Sequence, residues 1–496
     1  MNLLIIVSDT FRWDYLGAYG NDWIHTPNLD RLASDSAVFL HAYAEGLPTL
    51  PARRVIKTGR NVFPFAYRPQ SSDMVQLEGW HPLFDEDVTL AEHLGKHGYC
   101  SAFITDVYHM MKPGKDFHRG YNCWHWIRGQ EGDACKLTDP DQVRELLRAA
   151  DCYDQGPLAD DHWVLQHLMN RKDWTSEADT SVAKVMLRAG EWLRQYTLDG
   201  PFFMYVDCFD PHEPWDPPLE YARRYDPAYE GLDGCIPPLT TATMTDQQVR
   251  NVKTAYAAEV TLVDAWIGHL LEVVEEKGLL GNTLIVFTSD HGCMLGEQGE
   301  IHKGADRLRN QCTRVPLLIR HPRGDAAGIR VTDFVQHQDI MPTALALMGL
   351  EIPERVLGRS AWPGSQPGGP TRDYVVTAFG DHASIRTRKW NYLQPWKQRH
   401  GSAPGRYELY DLERDPQELR NAIEDHRETA NDLAERLQHH IRHFKPLTSG
   451  SFQSPAEADE GMSFSALPSL VHRTAVTPGP ADGTSDRCQC EHLAKE

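Results

Sequence analysis

Gly46-Leu-Pro-Thr49-Leu-Pro51-Ala-Arg53-Arg-Val-Ile-Lys-Thr58-Gly59-Arg60 is the stretch around which the rest of the chain can be ordered. Pro48 and Pro51 restrict the backbone on both sides of Thr49, and the residues that follow suit a short helix. A hydroxyl at Thr49 then sits near a helix N-terminus, where free N–H groups and the positive end of the dipole favour developing negative charge. Arg53, four residues on, falls one turn along the same face and can hold an alkoxide or the chain that carries it. The plainer alternative is a Pro-punctuated loop with a capping Thr and a surface Arg, and this stretch alone does not separate the two.

Elsewhere, short apolar runs deliver polar residues to strand ends. Leu3 to Val7 suits a central strand of a parallel sheet and leads into Ser8-Asp9-Thr10. Ser101 to Thr105 ends in Asp106-x-Tyr108-His109, and Pro201 to Asp207 exits through Asp210-Pro211-His212-Glu213-Pro214. A His held between prolines has a fixed position and, if it titrates near neutrality, suits a general acid. Thr283 to Thr288 ends in Ser289-Asp290-His291-Gly292, where a carboxylate and an imidazole side by side suit a divalent metal. Helices are expected near 26–33, 90–98, 182–193, 246–277 and 427–443, and residues 130–180 read as an insertion with short helices. The aromatic- and arginine-rich stretch from Phe117 to Glu131 can wall a pocket.

At 496 residues, with 41% hydrophobic and 24% charged residues, the chain is long enough for a large core plus a smaller subdomain. Its net charge of −20 argues against nucleic-acid and anionic-membrane partners, although a few local cations can still bind an anionic substrate. The ten cysteines are scattered without CxxC spacing, which suits free thiols in a reducing compartment. The N-terminal run lacks a basic start and a cleavage site, and no run reaches transmembrane length, so a cytoplasmic location is expected. Beyond Pro446 the chain turns Ser, Pro, Ala and acid rich, as a flexible tail would; Cys488, Cys490 and His492 within it make an incomplete metal set.

Thr49-x-Pro51-x-Arg53 followed by Thr58-Gly59-Arg60 resembles the sulfatase signature of the alkaline phosphatase superfamily. The other motifs resemble that family in the expected order: Asp9, His212 in an Asp-x-His-x-Pro segment, Asp290-His291-Gly292, the His302-Lys303-Gly304 loop, Asp339-Ile-x-Pro342-Thr343 and a C-terminal Glu408-Leu-Tyr-Asp-Leu-Glu-Arg-Asp-Pro416 segment. The departures are Thr49, where the family has the Cys or Ser converted to formylglycine, and Thr10, where most members have a second acid. Thr nucleophiles do occur in phosphodiesterase branches of the superfamily.

The resemblance implies an α/β/α sandwich, catalytic over 1–375, with a small antiparallel C-terminal subdomain over 376–445 and the tail over 446–496. It implies one divalent metal ion (Mn, Zn, Ca or Mg) held by Asp9, Thr49, Asp290 and His291. Catalytic roles fall to Thr49, Arg53, His212 and Lys303, and Thr105, His109 and His302 are candidates for substrate binding. The expected substrate is a small anionic ester, a phosphodiester or phosphonate monoester cleaved by Thr49. The alternatives are a sulfate ester, or a non-catalytic anion-binding pseudoenzyme. No nucleic acid or membrane partner is expected, and a homo-oligomer is left open.

Overall fold

The apolar run after Met1 forms a seven-residue strand, β1 (Asn2–Ser8), buried along its whole length. The computed structural model describes residues 1–66, 75, 77–136, 163–231, 236–363, 372–397 and 406–448. In it, β1 lies between β6 (Phe202–Cys208) and β7 (Thr283–Ser289), parallel to both. Beyond β6 come β4 (Cys100–Thr105) and the edge strand β5 (Cys123–Trp126), also parallel. Beyond β7 the antiparallel β11 (Leu317–Arg320) pairs with β2 (Ala37–Tyr43), which also bonds β10 (Arg314–Val315) and β12 (Arg330–Gln336).

The period-2 alternation of β1 divides the core into two layers. Leu4 and Ile6 pack with the helices Ser181–Gln195 and Asp246–Glu276, while Leu3, Ile5 and Val7 pack with Leu50 and Ile56 of the helix Thr49–Thr58 and with the helices Leu90–Lys96 and Ile340–Leu347. The α/β/α sandwich expected from sequence is therefore what forms. Register then does the positioning: Ser8 lies opposite both Cys208 and Ser289, and Thr105 lies opposite Asp207. Hence Asp9, Asp106, Asp207 and Asp290 emerge at one edge of the sheet, the C-terminal edge where open α/β sheets build ligand sites.

The second sheet contains β13 (Val375–Phe379), β14 (His382–Arg386), β15 (Trp390–Pro395) and β16 (Glu408–Asp411), all antiparallel. Its fifth strand is β3 (Gly46–Leu47), which runs parallel to β13 with Ala378 opposite Gly46. The residues before Thr49, read as loop from sequence, are thus part of the C-terminal sheet. The helix Arg427–Thr448 covers this sheet, packing Leu433 and Leu437 against Ile385, Leu409 and Val55.

The remaining two strands, β8 (Met294–Leu295) and β9 (Ile301–His302), make the small ribbon that carries Lys303. Of the expected insertion, residues 137–162 lie outside the described residues, as does the tail from 449, including Cys488, Cys490 and His492. Among the described residues the cysteines are unpaired, and no helix is long and apolar enough to cross a membrane.

Glu45 fastens the segment that carries Thr49 at both ends. Its main-chain oxygen accepts Ala378 N at 3.0 Å, and its buried carboxylate accepts Asn61 Nδ2 (3.1 Å), Val62 N (3.0 Å) and Phe63 N (3.1 Å) beyond the helix. Burial pushes this carboxyl up to about 7, against the pull of its three donors. Glu45→Ala should lower the unfolding free energy in denaturant by about 2–4 kcal/mol, because two backbone N–H groups lose their acceptor. Glu45→Gln supplies a non-titrating comparison. The folded carboxyl titrates above the unfolded one, so the stability this linkage contributes is fully present below the unfolded value and is lost toward pH 7. The difference between wild type and Glu45→Gln should therefore shrink as pH rises, by up to about 1.4 kcal/mol per pH unit.

Candidate active site

Asp9 follows β1 and Asp290-His291 follow β7, so two adjacent parallel strands place these side chains together; one donor atom from each lies within 4.8 Å of the others. Thr10 takes a left-handed conformation (φ 59°), giving its N–H to Asp290 Oδ1 at 2.9 Å and its hydroxyl to Asp9 Oδ1 at 2.6 Å. The residue that departs from the family's second acid thus braces both carboxylates. Gly292 has to be glycine, since a Cβ there would lie 2.1 Å from Gln311 O.

Arg53 enters from the Thr49–Thr58 helix. Its Nε and Nη2 bond Asp207 at 3.1 and 2.8 Å, while Nη1 lies 3.0 Å from Asp9 Oδ2 and also meets Asp290 Oδ2. One fully buried guanidinium therefore serves three carboxylates from three strand ends. Burial works against every one of these charges. At Asp290 the charge of Arg53, the adjacent His291 ring and the N–H groups of Thr10 and His291 overcome burial and hold the carboxyl below its ordinary range. Asp9 is driven well up by burial and by Asp290.

Burial holds His291 at about 4, so the imidazole is neutral at physiological pH. Its Nδ1 donates to Gly292 O at 2.9 Å, which leaves Nε2 as a lone pair 3.4 Å from Asp290 Oδ2 and 4.0 Å from Asp9 Oδ1. His291 Nε2 and Asp9 Oδ2 are buried without a hydrogen bond. Two carboxylates and a free imidazole lone pair in excess negative charge are what a divalent cation requires, so these residues fit the group.

Across the site, Lys303 Nζ contacts His212 Nε2 at 2.6 Å and Glu213 Oε1 at 3.1 Å. The expectation that His212 titrates near neutrality is not met: burial, reinforced by Lys303, brings it down to about 4. Lys303 itself is raised despite burial, chiefly by Glu213 and then Asp9.

Thr49 is buried at the first residue of its helix, and its carbonyl lies 3.5 Å from Arg53 Nη1. The candidates for substrate binding each have protein partners. The Thr105 hydroxyl accepts Val107 N at 3.0 Å, and His302 bonds Pro237 O at 2.8 Å and stacks on Trp215. His109 Nε2 lies 3.4 Å from Glu131 Oε2, with its ring against Trp80 and Tyr108. Of the stretch from Phe117 to Glu131, the middle forms edge strand β5 with Trp124 exposed, while at its end Gln130 bonds Asp210 and Glu131 meets His109.

Three residues with evident roles had no sequence assignment: Thr10, Asp207 and Glu213. Asp207 carried a usable signal, an acid at the end of an apolar run, in the same position as Asp9 and Asp290.

The sulfatase family model matches residues 1–350. The chain belongs to the sulfatase family. A second model, N-sulphoglucosamine sulphohydrolase, C-terminal, matches residues 302–445 of this sulfatase-family chain. An arylsulfatase of Clostridium perfringens is 28% identical over 85% of this chain and 90% of its own length. The iduronate 2-sulfatase of Mus musculus is 26% identical over 72% and 70%. A multifunctional alkaline phosphatase superfamily protein of Trinickia caryophylli is 24% identical over 75% and 78%.

Among solved structures, the phosphonate monoester hydrolase of Agrobacterium radiobacter superposes with a TM-score of 0.67 at 22% identity, covering 89% of this chain and 95% of that one. A protein in complex with its substrate D-glucosamine-2-N,6-O-disulfate gives 0.67 at 20%, covering 90% and 98%. At these identities the likeness carries the fold alone. Family membership makes the chain a hydrolase of the sulfatase or phosphoesterase kind. Enzymes of the family use a divalent metal, for which Asp9, Asp290 and His291 form the candidate site.

Calorimetric titration with manganese or zinc should find one tight site, weakened about tenfold or more by Asp290→Asn or His291→Ala. The ion must displace the proton that Asp9 holds above the ordinary carboxyl range. Affinity should therefore fall by up to about tenfold per pH unit as pH drops below that raised value, with proton release visible in buffers of differing ionisation heat.

Proposed function

We propose that this sulfatase-family chain hydrolyses a small anionic ester, a phosphodiester or phosphonate monoester, through the Thr49 hydroxyl. The observation that carries the reading is Thr49 itself, at the first residue of a buried helix whose Arg53 reaches Asp9 and Asp290. Threonine does not match the residues converted to formylglycine. A formylglycine enzyme releases sulfate by elimination from a hemiacetal, a route closed to a secondary alcohol ester. A plain hydroxyl has to be freed by hydrolysis at the central atom, which favours phosphorus over sulfur.

In this reading Thr49 Oγ gives up its proton to solvent and attacks phosphorus as the bond to the leaving oxygen breaks; water then hydrolyses the phosphothreonine, its hydroxide going to phosphorus and its proton back to Thr49 Oγ. Arg53 and Lys303 offset the charge of the equatorial oxygens. The leaving oxygen takes a proton from the Lys303–His212 pair, where the proton resides on Lys303 because His212 is neutral. A divalent metal held by Asp9, Asp290 and His291, with Thr49 Oγ as a further donor, supplies Lewis-acid polarisation and a lowered hydroxyl pKa when bound. The names of the phosphonate monoester hydrolase and multifunctional superfamily relatives favour this substrate class; those of the arylsulfatase and iduronate 2-sulfatase relatives favour a sulfate ester as the second reading.

The test is turnover of aryl phosphodiester, phosphonate monoester, phosphate monoester and sulfate ester by manganese- or zinc-loaded protein. Phosphodiester or phosphonate cleavage is expected, lost by about a thousandfold or more in Thr49→Ala and retained in part by Thr49→Ser. Turnover of sulfate ester alone would reverse the choice of substrate. Absence of turnover with every metal would favour anion binding without catalysis.

A further inference from the structure

Glu213 is the one carboxylate on which the cation-bearing side of the site converges. Its Oε1 receives Lys303 Nζ at 3.1 Å and faces His302 Nδ1 at 3.4 Å, while Oε2 lies 3.5 Å from His212 Nδ1 and takes no hydrogen bond. Its main-chain oxygen accepts His212 Nδ1 at 2.6 Å. With the ring proton on Nδ1, His212 Nε2 can only accept, and the partner it meets is Lys303 at 2.6 Å. Lys303 is thus the donor in both of its close contacts. Pro211 and Pro214 bracket the His212-Glu213 pair and restrict its backbone.

A buried ammonium persists only where a nearby anion offsets its lost hydration. The groups that act electrostatically on Lys303 or feel its charge are Asp9, Glu131, His212, Glu213, His291 and Cys293. Of the acids among them, Glu213 is the one within ion-pair distance of Nζ among the described residues. Glu213 is itself driven well below its ordinary value, since the neighbouring rings of His212 and His302 and the ammonium of Lys303 outweigh burial. It stays an anion throughout the working range.

We infer that Glu213 is a positioning residue that keeps Lys303 charged and aimed at the bound anion, and so sets the upper pH limit of anion binding. The inference rests on the reading that Lys303 meets the anionic ester. It assigns Glu213 a task that neither sequence spacing nor the metal cluster requires.

The test uses full-length protein loaded with manganese, freed of excess ion and titrated calorimetrically with inorganic sulfate, whose charge is constant between about pH 6 and about pH 10. Glu213→Gln should bind sulfate as wild type does near pH 6 and about tenfold more weakly near the alkaline end. Wild type, whose Lys303 is held above its ordinary value, should show no loss within this range, so the midpoint of loss in Glu213→Gln should lie below the wild type's by about one pH unit or more. Glu213→Asp, which keeps the charge on a shorter arm, should fall between the two.

Lys303→Met should remove the pH step and make Glu213→Gln silent when the two are combined. A loss of affinity equal at every pH, as a purely structural role would give, overturns the inference, and so does an unmoved midpoint. Should Glu213→Gln not fold, Glu213→Asp decides by the same midpoint. Sulfate binding with the expected pH step but no ester turnover would count against the proposed reaction and leave the inference standing.

Discussion

A single guanidinium closes the site. Arg53 is fully buried and faces three carboxylates, Asp9, Asp207 and Asp290, each from the end of a different parallel strand. Its pairing with Asp207 uses two parallel N–H donors, a geometry open to arginine and not to lysine. Breaking a buried ion pair by removing one partner costs about 3–5 kcal/mol, because the remaining charge is stranded. The sheet edge and the Thr49–Thr58 helix are therefore locked by charge as well as by the packing of Leu50 and Ile56.

Charge balance also explains why a cation belongs there. One arginine does not neutralise three carboxylates, and Asp9 is pushed well up, by burial first and then by the negative charge of Asp290. The neutral His291, with an uncommitted Nε2, adds a donor where a further positive charge would relieve that surplus. On the facing side Lys303, His212 and Glu213 form a separate unit with its own charge compensation. The two halves differ in charge: one gathers carboxylates into the candidate metal site, and the other carries a buried ammonium paired with its own carboxylate.

The second sheet takes part in this arrangement. By pairing β3 with β13 and by fastening Glu45 to Asn61, Val62 and Phe63, it fixes where the Thr49 segment enters and leaves the main sheet. The Thr49–Thr58 helix is thereby held from two sides, the sandwich core and the C-terminal sheet, and Arg53 reaches its partners from a rigid base. Such support is what a site needs if its polar groups are to be oriented before a ligand arrives.

The sequence by itself determined the strand and helix pattern of the sandwich and put Asp9, Asp290 and His291 at strand ends, because continuous apolar runs ending in polar residues have one reading in a parallel sheet, while Arg53 and Lys303 were singled out by the resemblance to the family. It also fixed Thr49 as the departure from the family pattern. Only the tertiary structure decided the uses of residues whose partners lie far along the chain. Asp207 meets Arg53 across 154 positions, Thr10 N meets Asp290 across 280, and Lys303 meets Glu213 across 90. It likewise took His212 out of the neutral titration range and turned Gly46–Leu47 into a strand of the C-terminal sheet. The physical reason is common to these cases. A local pattern dictates burial and direction, whereas desolvation, charge pairing and strand registry depend on which distant groups the packed fold brings within a few ångströms.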